Sequence, residues 1–214
     1  MTSTTKKTKL RIAIFGDSNS WASIEHDGKY GKAYPALIQS NHTQVINDAV
    51  PGRSTIFDVK TGTRGQSLNG DKQTRNGLTG LISFTTKLRE ERIKIDRFVL
   101  ALGINDLMNP SLNQNVLDVK NNLKLLIDQI WVQNDIFTNS EVKIFLLTPF
   151  LVSEEKYPEI SQKLKQLEFS LKKLSNVELI TINGIVPGKD GVHFPQSEHI
   201  IIAHQLIQKL SQNL

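Results

Sequence analysis

The sequence contains no cysteine, which excludes disulfides, thiolate-held zinc and a cysteine nucleophile. Any covalent chemistry must use oxygen or nitrogen. No run approaches the ~20 apolar residues that span a bilayer. The basic start, Met1 to Lys9, leads straight into a strand of about six residues instead of the longer apolar segment and small-residue cleavage site of a secretion signal. The chain is therefore expected to be soluble and cytoplasmic, with 1–9 a basic tail and 10–214 a single domain. Basic residues interleaved with aromatics are also missing. The net charge is +5, yet Lys163, Lys165, Lys172 and Lys173 lie on helical segments with acidic residues among them, the pattern of a solvated surface and not of a nucleic-acid site. No amphipathic helix is left over beyond those a core requires, which argues against action at a membrane.

What is present suffices for one globular core: 214 residues, 38% of them hydrophobic. Five short apolar runs read as strands: Leu10–Gly16, Gln44–Val50, Asp96–Leu102, Lys143–Pro149 and Glu178–Ile182. Helical spacing falls between them. Leu78–Arg92 carries Leu81, Ile82, Thr85 and Leu88. Val116–Val132 carries Val119, Leu123, Leu126, Ile127 and Ile130. Further helices are expected near 33–38, over about 158–174, and at the end of the chain. Strands alternating with helices predict an α/β fold with a doubly wound, mainly parallel sheet. From Arg53 to Gly77 the apolar residues thin out, and a loop of that length in a compact domain usually serves the site or a partner surface. Homo-oligomerisation is one way such a loop would be ordered.

The first strand stops abruptly in Gly16-Asp17-Ser18. In open α/β sheets ligands bind at the carboxyl ends of the strands, so position alone makes Ser18 a candidate nucleophile. A serine hydroxyl needs a general base, and histidine is the usual one. Of the five histidines, His26 and His42 sit in polar early segments, while His199 and His204 fall in the last helical pattern without an acidic residue at a telling spacing. His193 differs. It ends Asp190-Gly191-Val192-His193, between the last strand and the last helix, where Asp190 can fold back in one turn to accept the imidazole Nδ1 hydrogen and leave Nε2 for a serine. A tetrahedral intermediate also needs fixed donors. Gly52 follows the second strand, where the lack of a side chain lets a backbone N–H approach closely. Asn105 follows the third, and its carboxamide offers a neutral donor. The Ser18 amide is the remaining candidate.

Phe15-Gly16-Asp17-Ser18, Gly52, Gly103-Ile104-Asn105-Asp106 and Asp190-Gly191-Val192-His193 together resemble, in order and approximate spacing, the four motif blocks of the SGNH (GDSL-type) esterases and lipases. The resemblance runs from residue 12 to about 205. It implies a flavodoxin-like, three-layer α/β/α sandwich without metal or organic cofactor. Carried over residue by residue, it makes Ser18 the nucleophile, His193 the base and Asp190 its orienting acid. Ser18, Gly52 and Asn105 become the oxyanion hole. Ser18-Asn19-Ser20-Trp21 and Asn47 with Gly52-Arg53-Ser54-Thr55 look most like the arylesterase and acyltransferase branch, which puts Asn19 and Trp21 at the substrate pocket. The sequence departs from that branch at Asn19, where leucine is usual, and at Ala22, where glycine is common. Asp17 and Asp106 read as loop-bracing residues.

The expected function is hydrolysis of short-chain carboxylic esters of small molecules through an acyl-enzyme. An acyltransferase or deacetylase acting on a sugar or other small molecule would use the same groups. A catalytically silent binding protein of the same fold is the alternative of a different class. Segments 19–32, 53–77 and 150–158 are expected to wall the pocket.

Overall fold

The structure, a computed structural model, describes residues 9–21, 23–26, 29–58, 74–138 and 143–212, with side chains for all of these except 23–26 and 29–31. The N-terminal tail and most of the polar 53–77 loop lie outside the described residues.

Strand β1 (Leu10–Gly16) is an interior strand, paired on both sides. Its side chains alternate between two apolar environments, as a pleated strand buried on both faces must. Ala13 and Phe15 enter one core, and Leu10, Ile12 and Ile14 the other. A hairpin of β2 (Ser23–His26) and β3 (Lys29–Lys32) follows, then helix α1 (Tyr34–Ile38), β4 (Thr43–Ala49), α2 (Gly77–Glu90), β5 (Arg97–Ala101) and the short α3 (Ile104–Met108). Beyond them come α4 (Val116–Val132), β6 (Lys143–Leu147), α5 (Pro158–Leu171), β7 (Glu178–Ile180) and α6 (Gln196–Leu210). Five strands form one parallel sheet in the order β4-β1-β5-β6-β7. Helices α2, α4 and α5 pack on one face of it, with Leu81, Phe84, Leu123, Leu126, Leu164 and Leu167. Helices α1 and α6 cover the other with Tyr34, Ile38, Ile202 and Leu206. This is the three-layer α/β/α sandwich with flavodoxin-like strand order.

That order fixes where a site can form. After β1 the chain crosses to one side for β4, then returns past β1 to build β5, β6 and β7 on the other. The strand order reverses beside β1, and at such a point, here the carboxyl ends of β1 and β5, open α/β sheets bind their ligands. Among the described residues no helix is long and apolar enough to cross a membrane.

Local chemistry accounts for most helix boundaries. Asn115 caps α4 in a reciprocal box with Asp118: the Asn115 side chain accepts the Leu117 and Asp118 N–H groups at 2.8 and 3.0 Å, and Asp118 accepts the Asn115 N–H at 3.0 Å. Asn76 caps α2 through the Thr79 N–H at 3.1 Å. Two features differ from the sequence reading. Ser23–His26 and Lys29–Lys32, expected as loop, pair as antiparallel strands, and Ile82, expected on the apolar face of α2, points outward and is 46% exposed.

Candidate active site

Ser18 opens a single turn of 3-10 helix, Ser18–Ser20, directly beyond β1. Asp17 caps the turn by accepting the Asn19 N–H at 3.0 Å. A Cβ at Gly16 would overlap the Ser20 side chain, so the strand can turn this tightly only with glycine at its end. The Ser18 Oγ lies 2.9 Å from His193 Nε2. On the other side of the ring, Nδ1 lies 2.6 Å from Asp190 Oδ2. Asp190 Oδ1 accepts the backbone N–H groups of Val192 and His193 at 2.8 and 2.9 Å. One carboxylate thus shapes the loop and fixes the ring, which assigns the Nδ1 hydrogen to Asp190 and turns Nε2 toward the serine.

The loop is held from behind. Gly191 has φ +79°, and a side chain there would press on Ser153, Lys156 and Tyr157 at 3.0–3.2 Å. Its carbonyl accepts the Ser153 N–H at 2.8 Å, and the Gly188 N–H donates to the His193 carbonyl at 2.7 Å. The segment beyond β6 is thereby a brace for the loop beyond β7. It also lines, with Ile185, Val186 and Lys189, a groove of about 670 Å3 whose walls include neither Ser18 nor His193.

The third component is the turn after β4. Gly52 takes φ +75°, a conformation open to glycine at little cost. Its N–H and that of Ser18 donate to no described residue. Arg53, wholly buried, anchors the turn. Its guanidinium donates to the Asp48 carbonyl at 2.5 Å and to the Gly16 carbonyl at 3.4 Å, pairs with the Asp48 carboxylate at 3.5 Å and lies 4.1 Å over the Phe15 ring. Thr55 is gripped by Asp106, whose two oxygens accept its N–H at 3.1 and 3.0 Å and whose Oδ1 accepts its hydroxyl at 2.5 Å. Asn105, beside Asp106 on α3, donates from Nδ2 to the Arg53 carbonyl at 3.0 Å and reaches Asp17 Oδ2 at 3.5 Å. The carboxamide therefore bridges the turn that carries Gly52 and the turn that carries Ser18.

Charge is distributed unevenly over these groups. Partial burial works to raise the Asp190 carboxyl, but the Val192 and His193 N–H groups and the His193 ring outweigh it and hold the group below the usual carboxylate range. Asp17 and Asp106 go the other way. Burial pushes Asp17 up to about 6 against the pull of the Asn19 N–H and the charges on His193 and Arg53, with Asp106 adding to the rise. Burial lifts Asp106 to about 6 despite the Thr55 donors. Burial also lowers Arg53, with Asp48 opposing.

The structure thus brings Ser18, His193 and Asp190 into one hydrogen-bonded line and gathers Gly52 and Asn105 beside it. Of the two residues expected at the substrate pocket, Asn19 is buried, with its Oδ1 unpartnered among the described residues, and Trp21 is half-buried. His42 and His204 are exposed, and the side chain of His26 lies outside the described residues. His199 is fully buried. It accepts the Tyr34 N–H at 3.3 Å, stacks on the Tyr34 ring, and is lowered to about 4 by burial and by the charge of His193. The Tyr34 hydroxyl meets Ser20 Oγ at 2.6 Å directly behind the Ser18 turn. Sequence reasoning missed Arg53 and this Ser20–Tyr34–His199 support. No local signal marks Arg53, which follows a turn glycine in a polar stretch as a surface arginine would. Among the described residues no three acidic or histidine side chains cluster to hold a metal ion.

The strand order and its reversal beside β1 are those of the SGNH, or GDSL-type, hydrolase fold. No family model and no curated protein matches the sequence. Its likeness is to solved structures. The inhibitor-bound aryl esterase of M. smegmatis superposes with a TM-score of 0.71 at 17% identity, over 96% of this chain and 100% of that one. A carbohydrate acetylesterase family member from Sinorhizobium meliloti gives 0.70 at 16% identity, over 94% and 97%. A protein classed with the G-D-S-L lipolytic family, from Desulfitobacterium hafniense, gives 0.59 at 11% identity, over 94% and 99%. At these identities the likeness is one of fold.

Proposed function

We propose that the protein is a serine esterase that hydrolyses short-chain carboxylic esters of small molecules through an acyl-enzyme. The observation that carries this reading is the line Asp190 Oδ2–His193 Nδ1, 2.6 Å, and His193 Nε2–Ser18 Oγ, 2.9 Å, both within the range a proton relay requires. Ser18 Oγ attacks the ester carbonyl carbon while His193 Nε2 takes its proton. Asp190, held ionised, keeps Nδ1–H in place and offsets the positive charge on the ring. The carbonyl oxygen becomes an oxyanion received by the N–H groups of Ser18 and Gly52 and by the Asn105 carboxamide. As the tetrahedral species collapses, His193 returns the proton to the departing alcohol and Ser18 is left acylated. Water, deprotonated by the same ring, then attacks the acyl carbonyl, and release of the acid restores Ser18. The choice of a short acyl group is supported by analogy with the acetylesterase family member that shares the fold.

Hydrolysis is favoured over transfer to another acceptor by one feature. The His193 and Asp190 side chains are 51% and 52% exposed, so water reaches the base freely, whereas transfer depends on keeping water out. Purified protein should release p-nitrophenol from its acetate and butyrate esters, S18A should release none above the uncatalysed rate, and a fluorophosphonate probe should label the wild type only. Turnover by folded S18A at the wild-type rate would end this reading, and a wild type that neither turns over nor takes the label would favour a silent binding protein.

A further inference from the structure

Asn105 Nδ2 carries two hydrogens and no more, and both have a direction. One goes to the Arg53 carbonyl at 3.0 Å, the other toward Asp17 Oδ2 at 3.5 Å. The first is of ordinary length; the second lies at the outer edge of hydrogen bonding. An oxygen arriving beside Ser18 can therefore claim the second hydrogen while the first keeps the amide plane fixed.

We propose that Asp17 is a positioning residue for Asn105, its Oδ2 holding the second carboxamide hydrogen aimed beside Ser18 in the resting enzyme and yielding it to the substrate carbonyl oxygen during attack. The proposal rests on the esterase reading above and adds a part to it.

Three observations single out Asp17 for this task. Capping the 3-10 turn occupies only Oδ1, through the Asn19 N–H at 3.0 Å, and serine, threonine or asparagine would cap as well with one acceptor. The carboxylate is buried at a cost visible in its raised pKa, a cost those neutral caps would avoid, so what aspartate adds here is the second acceptor. The opposite anchor is rigid: the Arg53 carbonyl belongs to a residue whose guanidinium is tied to the ends of β1 and β4. The carboxamide thus pivots on a fixed bond and is steered by a weak one.

The test is a double-mutant cycle on kcat for p-nitrophenyl acetate. D17N and D17S keep an acceptor for the Asn19 cap and lose the second. Each should lower kcat about tenfold or more with KM within about twofold, whereas N105A, which deletes the donor, should cost on the order of 10²–10³. Because Asp17 acts through Asn105, the D17N/N105A double variant should be no slower than N105A within about twofold. Losses that multiply in the double variant overturn the proposal. So does a D17N or D17S protein that melts earlier yet, assayed below its transition, turns over at the wild-type kcat. Failure of the esterase reading looks different: it appears in S18A and the wild type, before any cycle is run.

Discussion

Three buried side chains, Asp17, Asp106 and His199, have been moved toward their neutral forms, and they push stability in opposite directions with pH. The two carboxyls titrate near 6 in the folded protein and near 4 in the unfolded chain. Between those values the folded state binds more protons, so stability grows as pH falls from about 6 to about 4. His199 titrates near 4 when folded and near 6.5 when unfolded. Over that range the unfolded chain binds more protons, and stability shrinks as pH falls. Each of these displacements corresponds to roughly 3 kcal/mol. The two gains should outweigh the one loss, leaving the wild type more stable at pH 4 than at pH 6.5 as far as these groups decide it. Asp190, whose pKa is lowered, adds stability that is lost only below its unfolded value, at still lower pH. In H199N, where the amide oxygen can still accept the Tyr34 N–H, the opposing loss disappears. Urea unfolding across pH 4–6.5 should show the variant gaining ~3 kcal/mol more than the wild type toward acid. Parallel curves for the two proteins would contradict the assignment.

At the scale of elements, the site is a set of turns beyond strand ends, each with its own lock. The turn after β4 shows how backbone and function are tied together. A Cβ on Gly52 would meet Arg75 at 3.6–3.8 Å, which is ordinary contact, so space does not demand glycine; φ +75° does. G52A should therefore cost about 1 kcal/mol of stability, from strain alone, and more in catalysis, because relief of that strain moves the N–H that the proposed mechanism offers to the oxyanion. A kcat reduced tenfold or more with KM nearly constant is the expected result, on the scale of losing part of one donor. Equal kcat in G52A would remove that turn from the mechanism. The same scale shows what could be read in advance. The strands of the main sheet and the apolar face of α4 were legible because burial on one or both faces imposes a period on the sequence. The β2–β3 hairpin was not, because Ser23–His26 and Lys29–Lys32 carry no apolar alternation and their pairing leaves no mark on composition. The short α3 was hidden for a related reason: its start, Gly103 to Asp106, is written by the chemistry of the site and not by helix propensity.

Across the whole molecule, the site is assembled from residues 175 positions apart, Ser18 and His193. The strand order explains why the strand ends that carry the motif residues meet. Their supports were not legible. A buried Arg53 and a buried His199 look like surface residues in a sequence, since nothing local distinguishes a charge that will be enclosed by distant segments. One further long-range tie has the same character. Gln196, at the start of α6 and three residues after His193, exchanges two hydrogen bonds with the backbone of Lys32: the Lys32 N–H donates to its Oε1 at 2.6 Å, and its Nε2 donates to the Lys32 carbonyl at 3.0 Å. A side-chain amide thus pairs with the end of β3 as another strand would, joining the hairpin that leaves the Ser18 turn to the helix that leaves the His193 loop. Each bond contributes about 1 kcal/mol. Q196A should therefore let the end of the hairpin open more often while the sheet stays shut, raising hydrogen exchange at the Lys32 amide roughly tenfold and leaving the β1 amides at the global rate. If Lys32 exchanges at the same rate in both proteins, the hairpin is held by other contacts and the two ends of the chain are not coupled through this residue.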